Sequence, residues 1–163
     1  MMTIAQVMQK MIDASQGNRH DIEHFIKVWS YARTIGQLEG LDAETQRTLE
    51  IAAIIHDIAC PLCREKYGNT EGKNQERESP ALVTAFLEDS GLPEETAARV
   101  NALVSRHHTL TGIDGMDCQI LIEADYLVNA GEQGYTKENV RRFMEIIAKT
   151  SAGRALLRAV YGL

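Results

Sequence analysis

Apolar residues recur at intervals of three and four along almost the whole chain, whereas strict alternation of apolar and polar residues is nearly absent. The first spacing is typical of amphipathic α-helices and the second of β-strands, so the sequence predicts helices throughout. Three prolines, no low-complexity stretch and no repeated segment indicate one continuous domain. We therefore expect an all-α fold, a single-domain helical bundle of roughly seven or eight helices.

Capping residues and prolines predict where individual helices begin and end. Thr3 and Asp42 are suitable N-caps, because their side-chain oxygens can accept hydrogen bonds from first-turn amides. Pro61 is expected to end the apolar helix before it, and Ser79–Pro80 to begin another. Between them, residues 62–78 hold two glycines and many charges. The sequence therefore predicts a long loop here, and loops of this length are often functional.

Composition and charge restrict the class of protein. Of the 163 residues, 44% are hydrophobic and 25% are charged, as in an ordinary globular domain. The longest apolar run, Ile51–Ile55, is far below the ~18 residues of a membrane span, and the first residues lack the apolar stretch of a secretion signal. We therefore expect a cytoplasmic protein without a membrane partner. The formal net charge of −6 argues against nucleic acid as a partner, because that affinity comes from neutralising phosphates.

Two aspartates stand inside apolar helices, where a carboxylate is costly. Asp57 follows the run IAAIIH and Asp125 lies within ILIEADYLV, with no lysine or arginine within a helical turn of either. A buried carboxylate needs a cation, a dense set of hydrogen bonds or a proton, and one shared cation would serve both. His56 adjoins Asp57, and His24 lies in the middle of an earlier helix. Imidazole together with carboxylate suits iron, manganese, nickel or zinc better than calcium.

The order of these residues resembles that in the HD superfamily of metal-dependent phosphohydrolases: a histidine, a histidine–aspartate doublet and a distant aspartate. The resemblance spans residues 20–127 and implies a single HD-type domain over residues 1–163, with C-terminal helices at 136–161 packed on the motif core. It implies one divalent ion, of manganese, iron, nickel, zinc, cobalt or magnesium. The implied ligands are His24, His56, Asp57 and Asp125.

The same resemblance implies hydrolysis of a phosphate ester or anhydride, with a nucleotide or another small phosphorylated metabolite as the expected substrate. Asp57 would hold the ion and orient or deprotonate the attacking water. His107 and His108, expected at the rim of the metal pocket, would supply a general acid and a phosphate contact, although a helix C-terminus also favours such residues. The basic side chains expected to meet the anionic substrate are Lys27, Arg64 and Lys66.

Some relatives with two metals use an extra histidine just before the helix expected at Ser79. This chain has Gln75, Glu76 and Glu78 in that stretch, so a single metal is expected. Glu76 or Glu78 could then act as a base that does not itself bind the metal, or as a weak ligand of a second site. Cys60 and Cys63 form a CxxC without a thioredoxin-like unit or a second cysteine pair. We expect them to be structural or incidental.

Two other functions fit the motif. One is a non-catalytic sensor that binds a metal or nucleotide through the same residues and signals to a partner. The other is a di-iron oxygenase, which needs more ligands than the sequence offers. The helices after Thr136 could form a homodimer interface or belong to the core.

Overall fold

Nine α-helices and no β-strand form the computed structural model, which describes all residues from 1 to 163. The all-α prediction is therefore confirmed, and none of the helices is both long and apolar enough to cross a bilayer. The helices are α1 (Ile4–Ala14), α2 (Arg19–Leu38), α3 (Ala43–Ile55), α4 (Cys60–Tyr67), α5 (Gly72–Leu87), α6 (Glu94–Arg106), α7 (Met116–Glu132), α8 (Lys137–Ile146) and α9 (Ser151–Tyr161).

Local hydrogen bonds explain several of the helix starts. Thr3 caps α1 through a capping box, in which its hydroxyl accepts from the Gln6 amide and Gln6 in turn accepts from the Thr3 amide. Asp42 caps α3, since its carboxylate accepts from the amides of Glu44 and Thr45. Both predicted caps are thus confirmed. These side chains satisfy amides that have no partner within the helix.

The segment at residues 62–78 differs from the predicted loop. It contains most of α4 and the first two turns of α5, with only a short turn at Gly68 between them. Pro61 lies in the first turn of α4, where a missing amide is tolerated, and α3 ends earlier at Ile55. Pro80 lies inside α5 rather than at its start.

The first turns of α5 lack the apolar pattern of an amphipathic helix, and the reason is physical. Their inward-facing residues are polar: Asn74, Gln75 and Ser79 are all buried. A helix that buries amides and a hydroxyl shows no apolar stripe, so the pattern of the sequence resembles that of a loop. This polar inner face lies beside the candidate site described below.

The centre of the molecule is a single apolar cluster to which every helix except α4 contributes. Helix α3 is central, because it packs against α1, α2, α6 and α7 and its second half is buried on all sides. Helix α9 packs on α7 and α2, and α8 packs on α9. The C-terminal helices at residues 136–161 therefore contact the part of the chain that carries the motif.

Glu123 is a fully buried carboxylate that joins α7 to the start of α9. Its oxygens accept hydrogen bonds from the amides of Lys149 and Thr150, at 2.7 and 3.0 Å, and from the Thr150 hydroxyl. Gly153 is required opposite this carboxylate, because a Cβ there would lie 1.9 Å from a Glu123 oxygen. A charged group inside the core thus positions the last helix.

We predict that Glu123→Ala lowers the free energy of unfolding by about 3 kcal/mol, because buried amide donors lose their acceptor. Urea unfolding followed by circular dichroism would measure the change. Glu145→Ala, at an exposed position of α8, is the matched control and should change stability by less than about 0.5 kcal/mol. Equal effects of the two substitutions would contradict the structural role of Glu123.

Candidate metal centre

Two helices and one interhelical turn bring the four sequence-predicted ligands together at one point. His24 lies in the first half of α2, and Asp125 lies in the middle of α7. His56 and Asp57 occupy the turn between α3 and α4, where main-chain hydrogen bonds span three residues instead of four. This turn allows two adjacent residues, which would diverge by about 100° on a helix, to face the same centre.

The donor atoms of these residues lie within a narrow range of distances. The Nε2 atom of His24 is 3.2 Å from Nε2 of His56, 3.2 Å from Oδ1 of Asp125 and 3.3 Å from Oδ2 of Asp57. The Nε2 atom of His56 is 3.4 Å from each of the same two carboxylate oxygens. Donors that surround one transition-metal ion at about 2.0–2.2 Å are separated by similar distances. The chemistry and spacing of the set therefore fit a divalent metal ion.

A hydrogen bond at Nδ1 of each imidazole fixes the orientation of the ring, so that Nε2 faces the centre. Nδ1 of His56 lies 2.8 Å from a main-chain carbonyl oxygen three residues earlier, and Nδ1 of His24 lies 2.8 Å from Oε2 of Glu132. Because a carbonyl or carboxylate oxygen accepts only, Nδ1 carries the proton in both rings. Nε2 is then free to present its lone pair to a metal.

His107 belongs to this centre and does not lie at the rim, which corrects the sequence expectation. It follows α6 directly, is 3% exposed and has its Nδ1 2.7 Å from the Val104 carbonyl oxygen. Its Nε2 is buried without a hydrogen-bond partner and lies 3.5 Å from Oδ1 of Asp57. Together with His56 and Asp57 it forms a second group able to hold a cation. An unpartnered buried nitrogen of this kind is a ready metal ligand.

The charges of the centre compensate one another. Burial alone lowers the pKa of a histidine, but hydrogen bonding to Asp125 and the charge of Asp57 outweigh burial and raise the pKa of His24 to about 9. Burial favours the neutral form of Asp57, but the positive charge of His56 holds the pKa of that carboxyl below its usual range. The carboxylates thus attract positive charge, which protons or a metal ion can supply. A metal ion would displace those protons on binding.

Two further residues of α7, Asn129 and Glu132, form hydrogen bonds with the candidate ligands, and neither was predicted from the sequence. Asn129, one turn after Asp125, donates a hydrogen bond of 2.9 Å to its Oδ1. Glu132, two turns after Asp125, accepts from His24 as described and also from Nζ of Lys27 at 2.7 Å. Asn129 and Glu132 follow Asp125 by four and seven residues, so all three lie on one face of the helix. This spacing was the sequence feature from which the two residues could have been predicted. Lys27 therefore binds the residue that orients His24.

The centre opens into a cavity of about 230 Å³ lined almost entirely by polar residues. Of the residues expected to meet a substrate, Arg64 and His108 line this cavity. Arg64 forms two hydrogen bonds of 2.7 and 2.6 Å with Asp21. Lys66 binds Glu78 at 2.7 Å, and neither Lys66 nor Lys27 lines the cavity.

The residues considered for a second site have other partners. Glu76 accepts a hydrogen bond from the Thr109 hydroxyl, and Glu78 accepts from Lys66 and Tyr67. Neither lines the cavity, whereas Gln75 does. The structure therefore does not bring these two glutamates to the metal centre.

The cysteines of the CxxC motif are buried free thiols. Cys60 lines the cavity, but burial and the negative charge of Asp57 raise its pKa. Burial and the charge of Glu78 also raise the pKa of Cys63. Both thiols therefore stay protonated at neutral pH, which agrees with a structural or incidental role.

A family model described as HD domain matches residues 21–130, more than half of the chain. The chain belongs to the HD-domain family. No curated protein and no solved structure shows a match to it. HD domains bind divalent metal ions, and the buried histidine and aspartate residues of this HD domain fit such a site. All four predicted ligands lie within the matched residues, whereas Glu132 follows their end.

We predict that Glu132→Gln weakens binding of a divalent ion by this HD domain about tenfold, because the negative partner of His24 Nδ1 is lost. Competition with a chelating dye, using Mn²⁺ and Zn²⁺, would measure the affinity. Glu145→Gln, at an exposed position, is the control and should bind as the unchanged protein does. An unaltered affinity in Glu132→Gln would contradict the orienting role.

Metal binding should also stabilise the fold. An ion at about 100 times its dissociation constant contributes roughly 2.7 kcal/mol, which corresponds to a rise of about 5–10 °C in the melting temperature at this chain length. We expect Asp57→Asn to lose most of this rise at the same concentration, whereas the exposed Asp13→Asn keeps it. Differential scanning fluorimetry with and without EDTA would measure both. The metal site would be refuted if Asp57→Asn kept the full rise.

Proposed function

We propose that this protein is a metal-dependent phosphohydrolase that cleaves small phosphate esters or anhydrides. The observation that carries the proposal is the buried set of imidazoles and carboxylates at the base of a polar cavity. Membership of the HD-domain family supports the same reaction class. The site itself, more than the fold, is the basis for the assignment, because one fold hosts many reactions.

The residues that would hold the ion are His24, His56, Asp57 and Asp125, with His107 adjoining on the Asp57 side. The ion could be manganese, iron, nickel, zinc, cobalt or magnesium, since such sites follow availability as much as affinity. When bound, it would lower the pKa of a water molecule and polarise a phosphoryl oxygen.

Asp57 has the geometry for two tasks. Its Oδ2 faces His24 and His56, at 3.3 and 3.4 Å, while its Oδ1 faces His107. One oxygen can therefore hold the ion while the other orients the attacking water and accepts its proton. A carboxylate whose pKa is held low is a weak base, so orientation is its larger contribution.

His108 is the residue at the cavity best placed to contact the phosphate. Its ring packs against that of His107, with centroids 3.9 Å apart, and lines the cavity beside Arg64. Either side chain could donate hydrogen bonds to phosphoryl oxygens as charge develops in the transition state. For Arg64 this requires that the substrate compete with Asp21 for the guanidinium.

We predict that Asp57→Asn lowers kcat/KM for phosphate release by about 10²–10⁴-fold, because both water orientation and a ligand charge are lost. The measurement is inorganic phosphate released from p-nitrophenyl phosphate, nucleotides and sugar phosphates, with each of several divalent ions. Asp13→Asn is the control and should leave the rate unchanged.

Two outcomes would contradict the proposal. The first is equal phosphate release by Asp57→Asn and the unchanged protein. The second is the absence of phosphate release from every compound while ligands still raise the melting temperature, and that result would favour a non-catalytic sensor.

A further inference from the structure

The cavity beside the metal centre lacks the large aromatic side chains on which a nucleobase commonly stacks, and its only aromatic rings are the imidazoles of His20, His24 and His108. Apart from Cys60, the residues that line it are polar, and none is phenylalanine, tyrosine or tryptophan. Sites for planar aromatic ligands are usually lined by apolar and aromatic side chains. A volume of about 230 Å³ is also below the roughly 300–1,000 Å³ typical of pockets for drug-sized ligands. A small, polar occupant therefore fits this volume and lining best.

The charges around the cavity favour a single phosphate. Four carboxylates line it, those of Asp21, Asp57, Asp125 and Glu132. Arg64 is the one lysine or arginine in the lining, and it is already paired with Asp21. A metal ion could neutralise one phosphate group, but a di- or triphosphate would bring further negative charge towards carboxylates without a free basic partner.

Gln75 indicates which chemical group the part of the ligand other than the phosphate carries. It is 4% exposed and lines the cavity, and its Nε2 donates a hydrogen bond of 2.9 Å to the Thr70 carbonyl oxygen. Because that carbonyl can only accept, the amide orientation is fixed and Oε1 is the free atom. This oxygen is buried and has no hydrogen-bond partner. Such an acceptor needs a donor, which an ionised phosphate cannot supply.

Other lining residues match hydroxyl groups. Thr70, Asn129 and Gln133 line the same cavity and carry side chains that both donate and accept hydrogen bonds. A hydroxyl group also does both, whereas an ammonium group only donates. Asp21 is already paired with Arg64. Glu132 is paired with His24 and Lys27, so neither carboxylate is free to bind an ammonium group. The remaining lining thus suits a ligand with several hydroxyl groups better than a phosphorylated amine.

We propose that the substrate is a small polyhydroxylated phosphate monoester, a sugar or polyol phosphate, and that Gln75 Oε1 accepts a hydrogen bond from one of its hydroxyls. This inference rests on the proposed phosphohydrolase function and narrows it. Of the two substrate classes expected from the sequence, it selects a small phosphorylated metabolite rather than a nucleotide. Gln75 acts as a specificity residue for the part of the substrate that carries hydroxyls.

A panel of matched phosphates tests the substrate class. Ribose 5-phosphate and AMP share a ribose phosphate and differ by the base, while glucose 6-phosphate, glycerol 1-phosphate, phosphoethanolamine and methyl phosphate vary the hydroxyls. We expect the best sugar or polyol phosphate to have a kcat/KM at least about tenfold above those of AMP, ATP and phosphoethanolamine. The inference is overturned if a nucleotide or phosphoethanolamine equals or exceeds every sugar and polyol phosphate.

Gln75→Met tests the residue, because methionine keeps the length of the side chain and removes the acceptor. Losing one neutral hydrogen bond should raise KM for the best sugar or polyol phosphate about 3–10-fold. KM for methyl phosphate, which has no hydroxyl to offer, should stay unchanged. Gln37→Met, at an exposed position of α2, controls for the substitution itself. An equal change for both substrates would show a structural role and overturn the assignment.

Failure of the proposed function can be told apart from failure of this inference. If no compound of the panel releases phosphate with any divalent ion, the hydrolase is refuted. Isothermal titration of the metal-loaded protein with the same panel then decides the ligand class. Preferential binding of a sugar or polyol phosphate, weakened by Gln75→Met, would support the inference, and its absence would overturn it.

Discussion

The structure depends on how the negative charges of two carboxylates among its helices are compensated. Asp125 is buried and Asp57 is partly buried at the base of the polar cavity, where an uncompensated charge still costs several kcal/mol. The Nε2 atoms of His24 and His56 lie 3.2–3.4 Å from oxygens of both carboxylates. These nitrogens can bind protons directly beside the negative charges. A protein that needed only stability could fill this space with apolar side chains at no loss. Retaining a cluster that must gain protons or a metal is therefore best explained by a site that works with a cation.

The orientation of the cluster is supplied by residues outside it. Two imidazoles use main-chain carbonyls of the helix that precedes them, so the end of α3 and the end of α6 fix the rings of His56 and His107. His24 instead relies on the side chain of Glu132, which Lys27 holds in place. Main-chain partners come with the helix itself, whereas the side-chain partner can be removed by one substitution. The α2–α7 side is thus the part of the centre most sensitive to sequence change.

Much of the fold and the convergence of the four candidate ligands was predictable because both leave regular patterns in the sequence. Helix periodicity reflects burial of one apolar face, and a charged residue inside such a face stands out, as Asp57 and Asp125 do. Contacts between distant segments leave no such pattern. Nothing near Lys27 indicates that its partner is Glu132 at the end of α7, and nothing around His107 indicates that its ring is buried beside Asp57. The pairing of Lys66 with Glu78 is equally a product of how α4 packs against α5.

The helix that hydrophobic periodicity did not predict, the start of α5, also brings Gln75 into the lining of the cavity. The first turns of α5 bury Asn74, Gln75 and Ser79 where an ordinary helix would bury leucine or valine. Such residues weaken the hydrophobic signal and bring a cost wherever an atom lacks a partner, as Gln75 Oε1 and the Ser79 hydroxyl do. Local sequence rules fail most often where function opposes stability. Under the proposal that Gln75 binds a substrate hydroxyl, the failure at residues 72–79 and the unpartnered amide oxygen have one cause, a polar helix face that meets a ligand.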